Sequence, residues 1–238
     1  MSAFEKTKIK RDMLEHDSVR HAVERSGHRS ILMSEEDLLQ SLDSILQKKP
    51  KNRSVWIFGY GSLIWNPMLE YIAKRPARIR GYHRGFYCWS KINRGSPESP
   101  GLVLALDCGG SCRGLVYQLS SKSIEKELLI LWRREMLGKV YVPKWVRAET
   151  KEGYVDAITF VIDRSTPAYT GKLNEDRIVS IALEASGHYG SCSDYLIETA
   201  KSLKHESIQD EKIFRLADKI LARKGHLSDT DNEPTHYE

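Results

Sequence analysis

The chain has 238 residues and a mass of 27.3 kDa, with 37 Lys and Arg against 32 Asp and Glu, a net charge of +5. At 40% hydrophobic and 29% charged it has globular composition, which excludes a wholly disordered or collagen-like chain. No run approaches the ~18 apolar residues of a membrane span, and the basic residues are dispersed without a phosphate-tracking run, so neither membrane nor nucleic acid is an expected partner.

The opening residues, MSAFEKTKIKRDMLEHD, carry charges where a signal peptide has its apolar core, so a cytoplasmic protein is expected. Residues 1–33 are polar and weakly periodic, and the charged stretch 20–30 reads as mobile. A helix follows. Ser34 caps it, Glu35, Glu36 and Asp37 suit its dipole, and Leu38, Leu42, Ile45 and Leu46 form its apolar stripe before Pro50 ends it.

From Ser54 the character changes. Residues 55–58, 86–89, 102–106, 115–117 and 157–162 are apolar runs rich in β-formers. Glycine and proline clusters at 95–101 and 109–110 separate some of them. A helix inserted among the strands starts near residues 121–123 and ends about Glu135. Three helices close the chain: about 175–186 with Gly187 as its stop, one from near Ser193, and one from Ser207, with Asp210 completing a capping box. The last dozen residues, from Leu227, are polar and expected to fray. Strands lie close together instead of alternating with helices, so an α+β fold with a compact, mostly antiparallel sheet or barrel and flanking helices is expected.

The four cysteines, Cys88, Cys108, Cys112 and Cys192, lack paired C-x-x-C units or adjacent histidines, so free thiols are expected and a metal site is not. Cys108 and Cys112 bracket two glycines and a serine, which is loop composition. His83, His188 and His205 are scattered and read as loop or surface residues. Tyr117 and Trp132 read as core.

Two features carry chemistry. The first strand runs into Gly59-Tyr60-Gly61-Ser62-Leu63-Ile64, where two glycines permit positive φ and close approach to the backbone, and successive N–H groups could form an anion-binding nest. The segment lacks the third glycine of a dinucleotide fingerprint, the Gly-Lys-Ser/Thr of a P-loop and the flanking glycines of a nucleophile elbow. Taken alone, a tight structural turn and a binding loop fit it equally. The second feature is Glu135. It stands eleven residues after Ile124 on the stripe of Leu128 and Leu131, where a carboxylate is costly unless paired or neutral. Burial and the helix C-terminus would raise its pKa toward that of a general base, and Arg133 and Arg134 would oppose this. On periodicity alone, a helix that ends early and leaves Glu135 in water fits as well.

Three stretches together resemble the ChaC family of γ-glutamylcyclotransferases. They are Val55 to Trp65; Arg80-Gly81-Tyr82 through Arg94-Gly95-Ser96-Pro97 to Pro100-Gly101; and Gly114-Leu115-Val116-Tyr117, followed by the helix and Arg134-Glu135. Ser96 stands where the family pattern has Thr, Leu102 where it has Arg, and Met136 to Tyr141 where it has Lys-Gly-Gly-Tyr. The resemblance implies a small mixed β-barrel with flanking helices and conversion of glutathione to 5-oxoproline and cysteinylglycine, without metal or organic cofactor. It implies that residues 59–64 (Gly59, Tyr60, Gly61, Ser62, Leu63, Ile64) hold the γ-glutamyl group and that Glu135 is the acid/base. Tyr189, in Gly187-His188-Tyr189-Gly190 between two helices, is a further candidate substrate contact. A cyclotransferase for other γ-glutamyl amino acids or amines, and a non-catalytic γ-glutamyl-binding module, are the alternatives. Residues 1–52 are then an N-terminal helical extension, 53–222 the γ-glutamylcyclotransferase-like domain and 223–238 a polar tail. Oligomeric state is not readable.

Overall fold

The computed structural model describes residues 9–230 except 26, 28 and 52. Five strands, β1 (Trp56–Gly59), β2 (Tyr71–Ser90), β3 (Gly101–Leu119), β4 (Tyr141–Thr150) and β5 (Gly153–Ile162), close into a barrel in the order β1-β3-β2-β4-β5. Neighbours are antiparallel except where the barrel closes, with β1 running parallel to β5. The expected α+β barrel is present.

β1 shows why its sequence is apolar throughout. Trp56, Phe58 and Tyr60 pack with Ile79, Leu106 and Val146 of the other strands, while Val55 and Ile57 pack outward against helices. Covered on both faces, the strand has no polar side to show.

The strands are longer than their apolar runs. Residues 102–106 and 115–117 belong to the single strand β3, and Gly109-Gly110, expected to separate them, lie inside it. Both have positive φ, and the register slips between Arg80 and Tyr82, so a β-bulge absorbs them. Cys108 and Cys112 therefore sit on a strand, the first exposed and the second buried, and all four thiols are free. β4 was not expected. Pro143 and the charges of Lys144, Arg147 and Glu149 mask it, and its register with β5 identifies it as half of a hairpin.

Helices cover two sides. On one, α3 (Glu35–Gln47) packs through Leu38, Leu42 and Ile45 against α4 (Ile124–Glu135), with Ser34 capping it as expected. On the other, α5 (Glu175–Glu184) and α6 (Cys192–His205) pack on β3, and α7 (Glu211–Thr230) packs on α5 and α6. α5 ends before Gly187, which instead belongs to a small hairpin, β6 (Ser186–Gly187) with β7 (Gly190–Ser191). α7 begins after Asp210, whose carboxylate accepts the Ile213 N–H at 3.1 Å; Ser207, expected as the cap, instead has φ 55°. The backbone of α7 continues helical to Thr230, across the expected start of the tail at 223, and residues 231–238 lie outside the described residues. No helix among the described residues is long and apolar enough to cross a membrane.

The N-terminal extension is also more ordered than its composition suggests. It forms α1 (Arg11–Glu15) and α2 (Ser18–Arg25), so the first part of the stretch expected to be mobile is helical, with Arg20 and Val23 buried. Arg20 is held by Asp17 and by the Met33 carbonyl.

Candidate active site

The end of β1, the end of α4 and the β6–β7 hairpin meet at one opening of the barrel, around a cavity of ≈ 130 Å³. Tyr60, Gly61, Ser62 and Leu63 line it from the first, Arg134 and Glu135 from the second and Tyr189 from the third. A second, larger cavity of ≈ 460 Å³ shares Asn93, Arg134 and Glu135 with it and opens over Cys88 and Lys139.

After β1 the chain makes one 3₁₀ turn, Ser62–Ile64. Ser62 and Leu63 of this turn line the cavity, and the first N–H groups of such a turn can serve as an anion-binding nest. Tyr117 fixes the turn by donating its hydroxyl to the Leu63 carbonyl at 2.8 Å, and Tyr60 donates to the Phe160 carbonyl at 3.0 Å. Gly59 and Ile64, expected to bind substrate, do not line the cavity. Ile64 is packed in the core, and its N–H is spent on the Gly61 carbonyl. Gly59 serves packing: a Cβ there would lie 2.9 Å from that of Leu63. Neither Gly59 nor Gly61 has positive φ, so the glycines are needed for close approach and not for handedness.

Glu135 is the last residue of α4, and its side chain is only 15% exposed. The helix does not end early. Burial pushes the carboxyl pKa up, and Arg134, whose Nε lies 3.1 Å from Oε1, pulls it back. Arg134 is itself buried. It also donates to the Ser62 hydroxyl at 2.9 Å and to the Asn66 carbonyl, tying the end of α4 to the loop. Arg133 turns away and donates to the carbonyls of Leu14 and Glu15.

Tyr189 sits at the tip of the β6–β7 hairpin, 5% exposed, and lines the cavity, with its hydroxyl buried and without a partner among the described residues. Beside it, the buried Asn93 Oδ1 is also unpartnered, and the guanidinium of Arg94 lies over the Tyr195 ring at 5.4 Å. Burial lowers the Arg94 pKa, and no carboxylate lies within ion-pair distance of it among the described residues. Such unsatisfied buried groups around a cavity are what a polar, carboxylate-bearing ligand would satisfy.

Sequence reasoning singled out neither Asn93 nor Arg94 as a site residue. The signal was the neighbouring glycine: a Cβ on Gly95 would lie 2.0 Å from the Gly101 N, and one on Gly187 would lie 2.5 Å from the Gly95 N. Three backbones touching at glycines press Arg94 against the hairpin that carries Tyr189. Ser96 builds the exposed turn next to this, accepting from the Ser99 N–H, and Leu102 is a fully buried core residue. Tyr117 and Trp132 are core, as expected. His188 is exposed, His205 likewise, and His83 spans the Gly109 carbonyl and the Tyr87 hydroxyl.

The sequence model of the ChaC-like protein family matches residues 55–223. The chain belongs to the ChaC-like family. Over 183 residues it is 37% identical to the glutathione-specific γ-glutamylcyclotransferase of Escherichia coli K12, covering 76% of this chain and 79% of that one. It is 31% identical over 175 residues to the human glutathione-specific γ-glutamylcyclotransferase 1, covering 71% and 79%. The fold matches the crystal structure of a yeast γ-glutamyl cyclotransferase specific to glutathione with a TM-score of 0.64 at 21% identity, over 72% of this chain and 97% of that one. The family match begins at β1, so the ChaC-like region holds the barrel, α4 and the hairpin, and the extension precedes it.

Proposed function

We propose that this ChaC-like protein cleaves the γ-glutamyl bond of reduced glutathione by intramolecular cyclisation, releasing 5-oxoproline and cysteinylglycine in the reducing cytoplasm. The observation that carries the reading is Glu135, a largely buried carboxylate paired with Arg134, at a cavity also lined by Ser62 and Leu63 of the 3₁₀ turn.

The substrate holds its own nucleophile. Its α-amino nitrogen attacks the γ-carbonyl carbon, and the bond to the cysteinyl nitrogen breaks. Nucleophile and electrophile share a chain, so the protein's task is to fold the substrate into a near-attack shape. The bound ammonium first gives up one proton to free its lone pair. As the ring closes, Glu135 takes the second proton from the attacking nitrogen and delivers it to the departing cysteinyl nitrogen, and the amine of cysteinylglycine regains the first from water, so the proton count closes. The N–H groups of Ser62 and Leu63 receive the oxyanion, a contribution whose loss typically costs ~10²–10³ in rate. Arg94, Asn93 and Tyr189 supply the cation, acceptor and hydroxyl for the substrate's carboxylate and ammonium ends.

Product analysis tests the reading. Purified protein mixed with reduced glutathione should release 5-oxoproline and cysteinylglycine in equal amounts, and γ-glutamylalanine should be turned over far more slowly. Preferential turnover of γ-glutamylalanine would retain the chemistry and refute the substrate. No product from either would refute the activity.

A further inference from the structure

The extension lies outside the ChaC-like match, yet it reaches the cavity. Ile9 is one of the residues lining the cavity beside Asn66, Arg134 and Tyr189. Its carbonyl accepts from Asn66 Nδ2 at 3.1 Å, four residues beyond Ser62. Two residues later, Arg11 forks onto Glu127 of α4 at 2.7 and 2.8 Å and donates to the Met68 carbonyl at 2.9 Å. Leu14, 1% exposed, packs with Val19, Ile130 and Tyr189. Arg133 of α4 then receives the end of the segment through the carbonyls of Leu14 and Glu15. Residues 9–15 therefore touch the stretch after the 3₁₀ turn, the helix that ends in Glu135, and the tip of the hairpin. These are the three parts that build the site.

The anchor is built for permanence. Glu127 has a fully buried side chain, and a third donor, the Glu70 N–H at 2.9 Å, completes its coordination. A bidentate guanidinium–carboxylate pair also fixes direction, which a single contact would not. Direction matters because Ile9 is only two residues from the pair.

We infer that Ile9 is a specificity-determining residue for the reaction proposed above, forming the outer wall of the substrate cavity, and that Arg11 is the positioning residue that holds this wall through Glu127. The inference rests on that reading for its substrate but not for its geometry. An apolar, β-branched side chain at the mouth covers the substrate and limits the space beside it without offering a polar group. Enlarging the side chain narrows the cavity, and releasing Arg11 lets the wall swing out. Both weaken binding while Glu135, the 3₁₀ turn and Arg94 stay in place.

The test uses the full chain. Ile9→Trp should raise KM for glutathione about tenfold or more, with kcat within about threefold and the thermal midpoint unchanged. Arg11→Ala should also raise KM more than it lowers kcat. A readout independent of turnover separates the wall from the activity. The thiol introduced by Ile9→Cys should react with iodoacetamide about tenfold more slowly than the exposed Cys108, and adding Arg11→Ala should remove that protection, as read by peptide mass spectrometry. KM unchanged in both variants with turnover intact would overturn the inference. So would a thiol at position 9 as reactive as Cys108 in both backgrounds. A wild type without turnover but with a protected position 9 would sink the proposed activity and leave the wall standing.

Discussion

Helix α4 carries a glutamate shielded from water at each end, fully for Glu127 and mostly for Glu135, and the two have opposite surroundings. Glu127, in the first turn, sits at the positive end of the helix dipole and accepts from both arms of Arg11 and from the Glu70 N–H. Glu135, the last residue, sits at the negative end with one arginine beside it and a cavity in front. The difference lies in the partners: the oxygens of the first glutamate are taken up by three donor groups, while the second faces the cavity with its carboxyl pKa pushed up by burial and pulled back by Arg134.

Removing Arg134, the ion-pair partner of Glu135, sharpens that contrast most. Arg134→Met deletes charge-assisted bonds to Glu135, Ser62 and Asn66, and kcat/KM for glutathione should fall about 100-fold. It should also move the acid limb of the rate profile. In the proposed mechanism Glu135 acts only as the carboxylate, so activity should be lost as pH falls through its raised pKa. Arg134 favours the charged form, so without it the pKa climbs and the limb shifts to higher pH, as steady-state rates across the acid range would register. A limb that stays put would mean that another group sets it.

The same removal at the other end should act on stability. Glu127→Gln takes the buried, bidentate anion from Arg11, which keeps Glu15 and Glu70, and leaves the Glu70 N–H with a weaker acceptor. Arg11 is partly open to water, which softens the loss to about 2–3 kcal/mol, or a thermal midpoint lowered by about 5–10 °C in calorimetry. An unchanged midpoint would show that the pair is not structural. A smaller effect is expected from Tyr117→Phe, which leaves the buried Leu63 carbonyl unpaired at about 1–2 kcal/mol and loosens the 3₁₀ turn. Its midpoint should fall by less than that of Glu127→Gln.

The two glutamates also differ in how readable they were. Glu135 was visible because it breaks an apolar stripe, and the motif resemblance pointed to the same residue. Glu127 stands three residues after Ile124 and four before Leu131, on the edge of the same stripe, yet its partner is more than a hundred residues away, so no local pattern shows what holds it. The barrel was legible where strands are apolar, as in β1. It was illegible in β4, where alternation is interrupted by Pro143 and charges, and across Gly109-Gly110, where a bulge has the composition of a loop. Of the expected binding residues, Tyr60, Gly61, Ser62, Leu63 and Tyr189 line the cavity with Glu135, while Gly59 and Ile64 shape the turn from behind. Asn93 and Arg94 belong to the cavity by tertiary contact, which spacing alone does not reveal.

Glu135→Gln tests the account most directly. The substitution keeps the size and removes the charge that burial disfavours, so the fold and its midpoint should be retained. With reduced glutathione, calorimetry should show binding near the wild-type strength while 5-oxoproline release drops by about 10²–10⁴-fold. Release at close to the wild-type rate from a folded, substrate-binding Glu135→Gln protein would contradict the account.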